Sequence, residues 1–146
     1  MTLSVVKQHL KNREWTYVEK DNSTVLFGVE VENIRFQMAF HWLEKNDQLL
    51  LYAYFPENVS EKKRNKMAVL LTHINFGIVI GNFEMDLADG CLRYKTSIDT
   101  ESLLITEKLI ENMINATVAT FNHYYFAIKQ ATYKANFSIK EVATVH

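Results

Sequence analysis

The stretch from Asn75 to Asp99, NFGIVIGNFEMDLADGCLRYKTSID, constrains the fold more than any other part of the chain. Asp89-Gly90 is a two-residue turn signal, because a type I′ turn needs positive φ at both centres. Pairing outward from that turn sets Leu87 opposite Leu92, Met85 opposite Tyr94 and Phe83 opposite Thr96. The other face then sets Asp86 opposite Arg93 and Glu84 opposite Lys95. One face is apolar and the other carries opposite charges, so a slip of one residue would spoil both. Such a hairpin defines architecture and leaves chemistry open.

The same reasoning extends a sheet towards the N-terminus. Residues 2–12 read as a short helix with Leu3, Val6 and Leu10 on one stripe. Trp15 and Tyr17 belong to a first strand, turned back at Asp21-Asn22-Ser23. Strands Thr24 to Val31 and Ile34 to Glu44 meet across a Glu32-Asn33 loop. This aligns Val31 with Ile34, Val29 with Phe36, Phe27 with Met38 and Val25 with Phe40, and places Glu30 opposite Arg35. An Asn46-Asp47 turn leads to Gln48–Phe55, with Trp42 opposite Leu51, Phe40 opposite Ala53 and Met38 opposite Phe55. Pro56 ends that strand. Asn58 with Glu61 reads as a capping box for a second helix, whose stripe is Met67, Leu70, Leu71 and Ile74. A third helix runs from about Thr106 to Ala131 on a seam of Ile110, Ile114, Thr117, Phe121, Tyr124 and Ile128. Residues 132–146 form a polar tail to which no structure is assigned.

The hairpin also carries a family resemblance. Asn75-Phe76-Gly77, Gly81-Asn82-Phe83-Glu84, Asp86, Asp89-Gly90 and Leu92-Arg93-Tyr94-Lys95-Thr96-Ser97 resemble the signature of the YbjN-type family of bacterial sensory transduction regulators. The order of elements agrees over roughly residues 1 to 130. The resemblance implies a fold like that of type III secretion chaperones and a protein-binding or regulatory role. Similar family members carry an Asp and then a Pro in the last helix, where this chain has Asn122-His123-Tyr124-Tyr125-Phe126. Without the Pro, that helix is expected to run straighter.

The expected fold is therefore α+β: an antiparallel β-sheet, a four-strand meander plus a C-terminal hairpin, packed with three helices in the order α-β-β-β-β-α-β-β-α. At 146 residues, 48% hydrophobic and 23% charged, residues 1–146 suit one domain with one core. No apolar run approaches the ~20 residues that span a bilayer, and the N-terminus lacks the apolar stretch of a signal peptide. Cys91 is the single cysteine, which suits a reducing cytoplasm. A net charge of −1 argues against nucleic acid as a partner. Lys62, Lys63, Arg64 and Lys66 do cluster, but Glu57 and Glu61 balance them on a solvated helix face.

Chemistry finds little support. Glu84 and Asp86 face Lys95 and Arg93 as cross-strand ion pairs, and Asp89 is a turn residue, so these carboxylates read as scaffold. His9, His41, His73, His123 and His146 lack metal-ligand spacing, and Cys91 has no orienting partner in sequence. No catalytic residue, cofactor or metal is expected. One face of the meander is a different matter. Leu26, Ala39, His41, Leu43, Leu50, Tyr52 and Tyr54 fall where a solvent-facing sheet should alternate polar. Of these, Leu26, His41, Leu43, Leu50, Tyr52 and Tyr54 are the candidate partner-binding residues, Tyr being favoured at interfaces. The expected function is a non-enzymatic, chaperone-like protein-binding or regulatory protein, cytoplasmic and homodimeric. The alternative is a small-ligand binder or enzyme with a pocket between the sheet and the last helix, lined by His123, Tyr124 and Tyr125.

Overall fold

The computed structural model describes residues 2–143; Met1 and residues 144–146, the end of the tail with His146, lie outside the described residues. The order is α1 (Thr2–Asn12), β1 (Tyr17–Asp21), β2 (Thr24–Val31), β3 (Ile34–Leu43), β4 (Gln48–Tyr54), α2 (Glu61–Phe76), β5 (Asn82–Met85), β6 (Leu92–Asp99), α3 (Glu107–Tyr133) and a one-turn α4 (Ile139–Ala143). The strands form one antiparallel sheet in the order β1-β2-β3-β4-β6-β5. The expected α+β architecture is present, with α4 added.

The β2–β3 register agrees at every pair, from Val25 opposite Phe40 to Val31 opposite Ile34. Its loop is a true two-residue turn, with Glu32 at φ 50° and Asn33 at φ 69°. The other two expected registers are displaced by two residues. Phe40 faces Leu51 rather than Ala53, Met38 faces Ala53 rather than Phe55, and Trp42 faces Leu49 rather than Leu51. In the last hairpin Phe83 faces Tyr94, Met85 faces Leu92, and Glu84 faces Arg93. Both corrections have one cause. Each loop is longer than two residues: four between β3 and β4, a 3₁₀ turn over Glu44–Asn46 closed by Asp47 at φ 50°, and six between β5 and β6, containing an i→i+4 turn closed by Gly90 at φ 79°. A shift of two keeps every side chain on its face, so facial patterning cannot detect it.

The signature stretch is also not strand throughout. Asn75 and Phe76 end α2, and β5 is only four residues long. Asp86 leaves the ladder: its carboxylate accepts the Ala88 N–H at 2.8 Å instead of facing Arg93. Asp89 likewise does not adopt positive φ, and its carboxylate accepts the Cys91 N–H at 2.8 Å. The cap of α2 is Ser60, not Asn58. Val59 is fully buried and donates its N–H to the Gly90 carbonyl at 2.8 Å, which holds the entry to the helix extended up to Ser60, two residues beyond the capping-box position.

The core lies between one sheet face and the helices. Val6 and Leu10 of α1, Met67, Leu70 and Ile74 of α2, and Ile110, Ile114, Phe121 and Ile128 of α3 are all buried against it. Thr106 caps α3 as expected of a residue at its start, its Oγ1 accepting the Leu109 N–H at 3.2 Å. The helix continues unbroken through Asn122–Phe126. Phe36, Phe55, Phe121 and Tyr125 pack as rings with centroids 4.7–5.5 Å apart. Beyond α3 the chain returns to bury Phe137 beside α2, with the Lys66 ammonium 4.7 Å from its ring centre.

Candidate partner-binding face

Strand alternation decides which side chains share the second sheet face. Since Phe27, Phe40, Leu51 and Tyr94 point to the core, the intervening residues point away from it. One row crosses the whole sheet: Val18, Leu26, Ala39, Tyr52, Lys95 and Asn82. The next row holds Thr24, His41, Leu50 and Ser97. All six candidate residues therefore lie on one face, with Leu43 at its end opposite Gln48. None of the six belongs to the core cluster that the helices cover. Val18 is 64% exposed and Leu26 37% exposed, while His41, Leu43, Leu50, Tyr52 and Tyr54 are half-buried by their neighbours. No described helix packs over this face. It is an open surface that mixes apolar and aromatic side chains with Thr24, His41, Lys95 and Ser97.

Its polar groups are held in place. The Arg93 guanidinium lies 4.0 Å from the Tyr52 ring centre, and the Tyr52 and Tyr54 rings are 5.9 Å apart. Glu84 accepts from Arg93 Nε at 2.5 Å and meets Lys95 Nζ at 2.8 Å. Burial alone would raise the Glu84 carboxyl, but the hydrogen bonds from Lys95 and Arg93 outweigh it and hold it below the ordinary carboxylate range. Burial pushes the Tyr54 hydroxyl up, against the opposing pull of Arg93. Thr24 Oγ1 and His41 Nδ1 share a hydrogen bond of 2.9 Å. An ionised carboxylate between two cations orients an arginine over an aromatic ring. It is poorly placed to take up a proton near neutral pH.

Other candidate chemistry resolves into structure. Burial, then Asp89, pushes the Cys91 thiol up, away from thiolate reactivity. No group of His, Cys, Asp and Glu that could hold a metal ion occurs among the described residues. The α2 cations grip carbonyls: Lys63 donates to Thr132 at 2.7 Å, near the end of α3, and Arg64 donates to Val59 at 3.0 Å and Ala88 at 3.2 Å.

One surface was missed by reading Asn75–Gly81 as strand. Phe76, the last residue of α2, is 97% exposed, and Val79 (96%) and Ile80 (54%) follow it on the loop between Gly77 and Gly81. Between this loop and α3 is an open cavity of about 420 Å³ lined by Ile78, Ile80, Ala116, Ala119, Thr120 and His123, with Tyr124 at its side. It replaces the expected pocket between sheet and last helix. Tyr125 is not in it, being packed against Phe36 and Phe55. The unbroken apolar run Ile78-Val79-Ile80 was the available signal, since an edge strand of that composition would be an aggregation hazard.

A family model described as "YbjN: Putative bacterial sensory transduction regulator" matches residues 2–130. Three solved structures are similar in fold. "Crystal structure of YbjN, a putative transcription regulator from E. coli" aligns with a TM-score of 0.59 at 13% identity, covering 89% of this chain and 87% of that one. "Structure of the HopA1-SchA Chaperone-Effector Complex" gives 0.57 at 12% identity, over 82% and 89%. "Crystal Structure of the ExsC-ExsE Complex" gives 0.57 at 16% identity, over 92% and 98%. No curated protein matches the chain. No helix among the described residues is long and apolar enough to cross a membrane.

Proposed function

The chain belongs to the YbjN family, and on that premise we propose that it is a non-enzymatic, single-domain protein-binding regulator of chaperone-like fold. Its partner is another protein, seated on Leu26, His41, Leu43, Leu50, Tyr52 and Tyr54, and it works in the cytoplasm as a homodimer. One observation carries this reading: a sheet face that presents Val18, Leu26, Leu43, Leu50, Tyr52 and Tyr54 and that no described helix covers. A monomer gains nothing from such a face in water, whereas a partner that buries it gains roughly 25 cal/mol per Å² of apolar area before the costs of association. Arg93 stacked on Tyr52 adds a type of anchor that interfaces favour. The fold is shared with chains whose structures are titled as a chaperone–effector complex and as the ExsC–ExsE complex, which supports a protein as the partner. The homodimer has separate support in the exposed Phe76, Val79 and Ile80 beside an apolar cavity, a second surface away from the open face.

A photo-crosslinking amino acid at position 52 or 50 tests this in the native host. Position 130, an exposed site on α3, serves as the reference. Positions 52 and 50 are expected to trap a protein adduct whose mass is not a multiple of this chain, and position 130 is expected to trap none. Equal trapping at all three, or none at 52 and 50, contradicts the assignment.

A further inference from the structure

β5 closes one side of the sheet, and its outer edge meets no other strand among the described residues. Edges of this kind pair readily with other chains unless something blocks them. Here one side chain does the work of a neighbouring strand. Asn75, in the last turn of α2, accepts the Phe83 N–H on its Oδ1 at 2.8 Å and donates its Nδ2 to the Phe83 carbonyl at 2.9 Å. Those are the two bonds that one residue of an adjacent strand would make. The side-chain amide carries an acceptor and a donor in one plane; Asp lacks the donor and Leu lacks both. Asn82 Nδ2 adds a second donor to the same carbonyl at 3.2 Å.

The direction of the backbone shows what is being held. Asp86 donates its N–H to the Cys91 carbonyl at 2.9 Å, so even-numbered residues of β5 turn towards β6. Phe83 and Met85 then present their N–H and C=O groups to the outer edge. On a four-residue strand, holding Phe83 removes one of the two places where a foreign strand could grip.

We propose that Asn75 is an edge lock: it occupies the strand-pairing groups of Phe83, keeps β5 closed to strand addition, and so leaves the open face, not this edge, as the way into the sheet. The lock stands whether or not the open face takes a partner.

Hydrogen exchange and sedimentation of the whole chain test it. In the wild-type protein the Phe83 amide is expected to exchange at least tenfold more slowly than the Met85 amide, which points the same way without Asn75 to hold it. In Asn75→Leu that difference is expected to vanish at low concentration, and the sedimenting mass is expected to rise with concentration beyond that of the wild-type protein at the same concentration. Should Asn75→Leu fail to fold, Asn75→Asp keeps the size and the acceptor but offers the carbonyl no donor, and the same rise in mass is expected. Equal exchange of the two amides in the wild type overturns the lock. So does a folded variant that keeps Phe83 protected, or one whose sedimenting mass matches the wild-type protein at every concentration.

Discussion

Phe40→Ala is expected to destabilise the protein by about 3–5 kcal/mol, a large part of the total stability of a domain this size. Phe40 is fully buried at the middle of the sheet, opposite Val25 on one side and Leu51 on the other. Its ring stacks on Phe27 with centroids 5.7 Å apart. Close-packed strands on both sides cannot collapse into the space that a phenyl ring leaves, so the cavity term adds to the lost transfer energy. Glu30→Ala, on the opposite face of the adjoining strand and exposed, should cost well under half as much. Urea denaturation of the two variants measures the difference. Equal midpoints would mean that the two faces of the meander have been assigned the wrong way round.

Gly90→Ala is the second large effect, expected at about 3 kcal/mol or more from two sources. Gly90 sits at φ 79°, where a side chain strains the backbone. A Cβ there would also run into the backbone of Val59, with the nitrogen 2.8 Å away, and would lie 2.9 Å from Arg64 Nε. Backbone cannot step aside as a flexible side chain can. The Val59–Gly90 hydrogen bond and the Arg64 bonds to the loop would be strained together, loosening the entry to α2 along with the hairpin. Asp89→Ala next door removes only the bond to the Cys91 N–H and should cost about 0.5–1.5 kcal/mol. A Gly90→Ala variant no less stable than Asp89→Ala would show that the loop does not bear on Val59 as described.

What the sequence made legible follows from what each signal can distinguish. Apolar alternation assigned the faces of β2, β3 and β4 correctly, and with them the six candidate residues on the uncovered face. Alternation is blind to shifts of two, so registers survived only where the loop length was also right, at Glu32-Asn33. Asp47 and Gly90 do mark turns, but near the end of a longer loop rather than within a two-residue pair. The signature residues were read as ladder partners, whereas several act through tertiary contacts that periodicity cannot encode. Asn75 holds Phe83, and Tyr94 donates its hydroxyl to the Ile80 carbonyl at 2.5 Å across the position where Gly81, at φ 74°, leaves room. Ser60 replaced Asn58 as the cap because Val59 is pinned by a loop some thirty residues later in the chain. Which face the helices cover is not encoded in alternation; packing places the described helices on one and the same face.

The central claim is that the open face of the sheet takes a protein partner, and a charge placed in its middle tests that most directly. Tyr52 lies in the row between Ala39 and Lys95, half-buried, with Arg93 over its ring. A carboxylate at this position has water beside it and Arg93 and Lys95 within reach, so the fold should tolerate it. Tyr52→Glu is therefore expected to keep the wild-type circular dichroism and a denaturation midpoint within about 1 kcal/mol of wild type, while losing the adduct that crosslinking at position 50 traps. A variant that keeps the adduct, or one destabilised by several kcal/mol because the face is covered by the chain itself, would contradict the account.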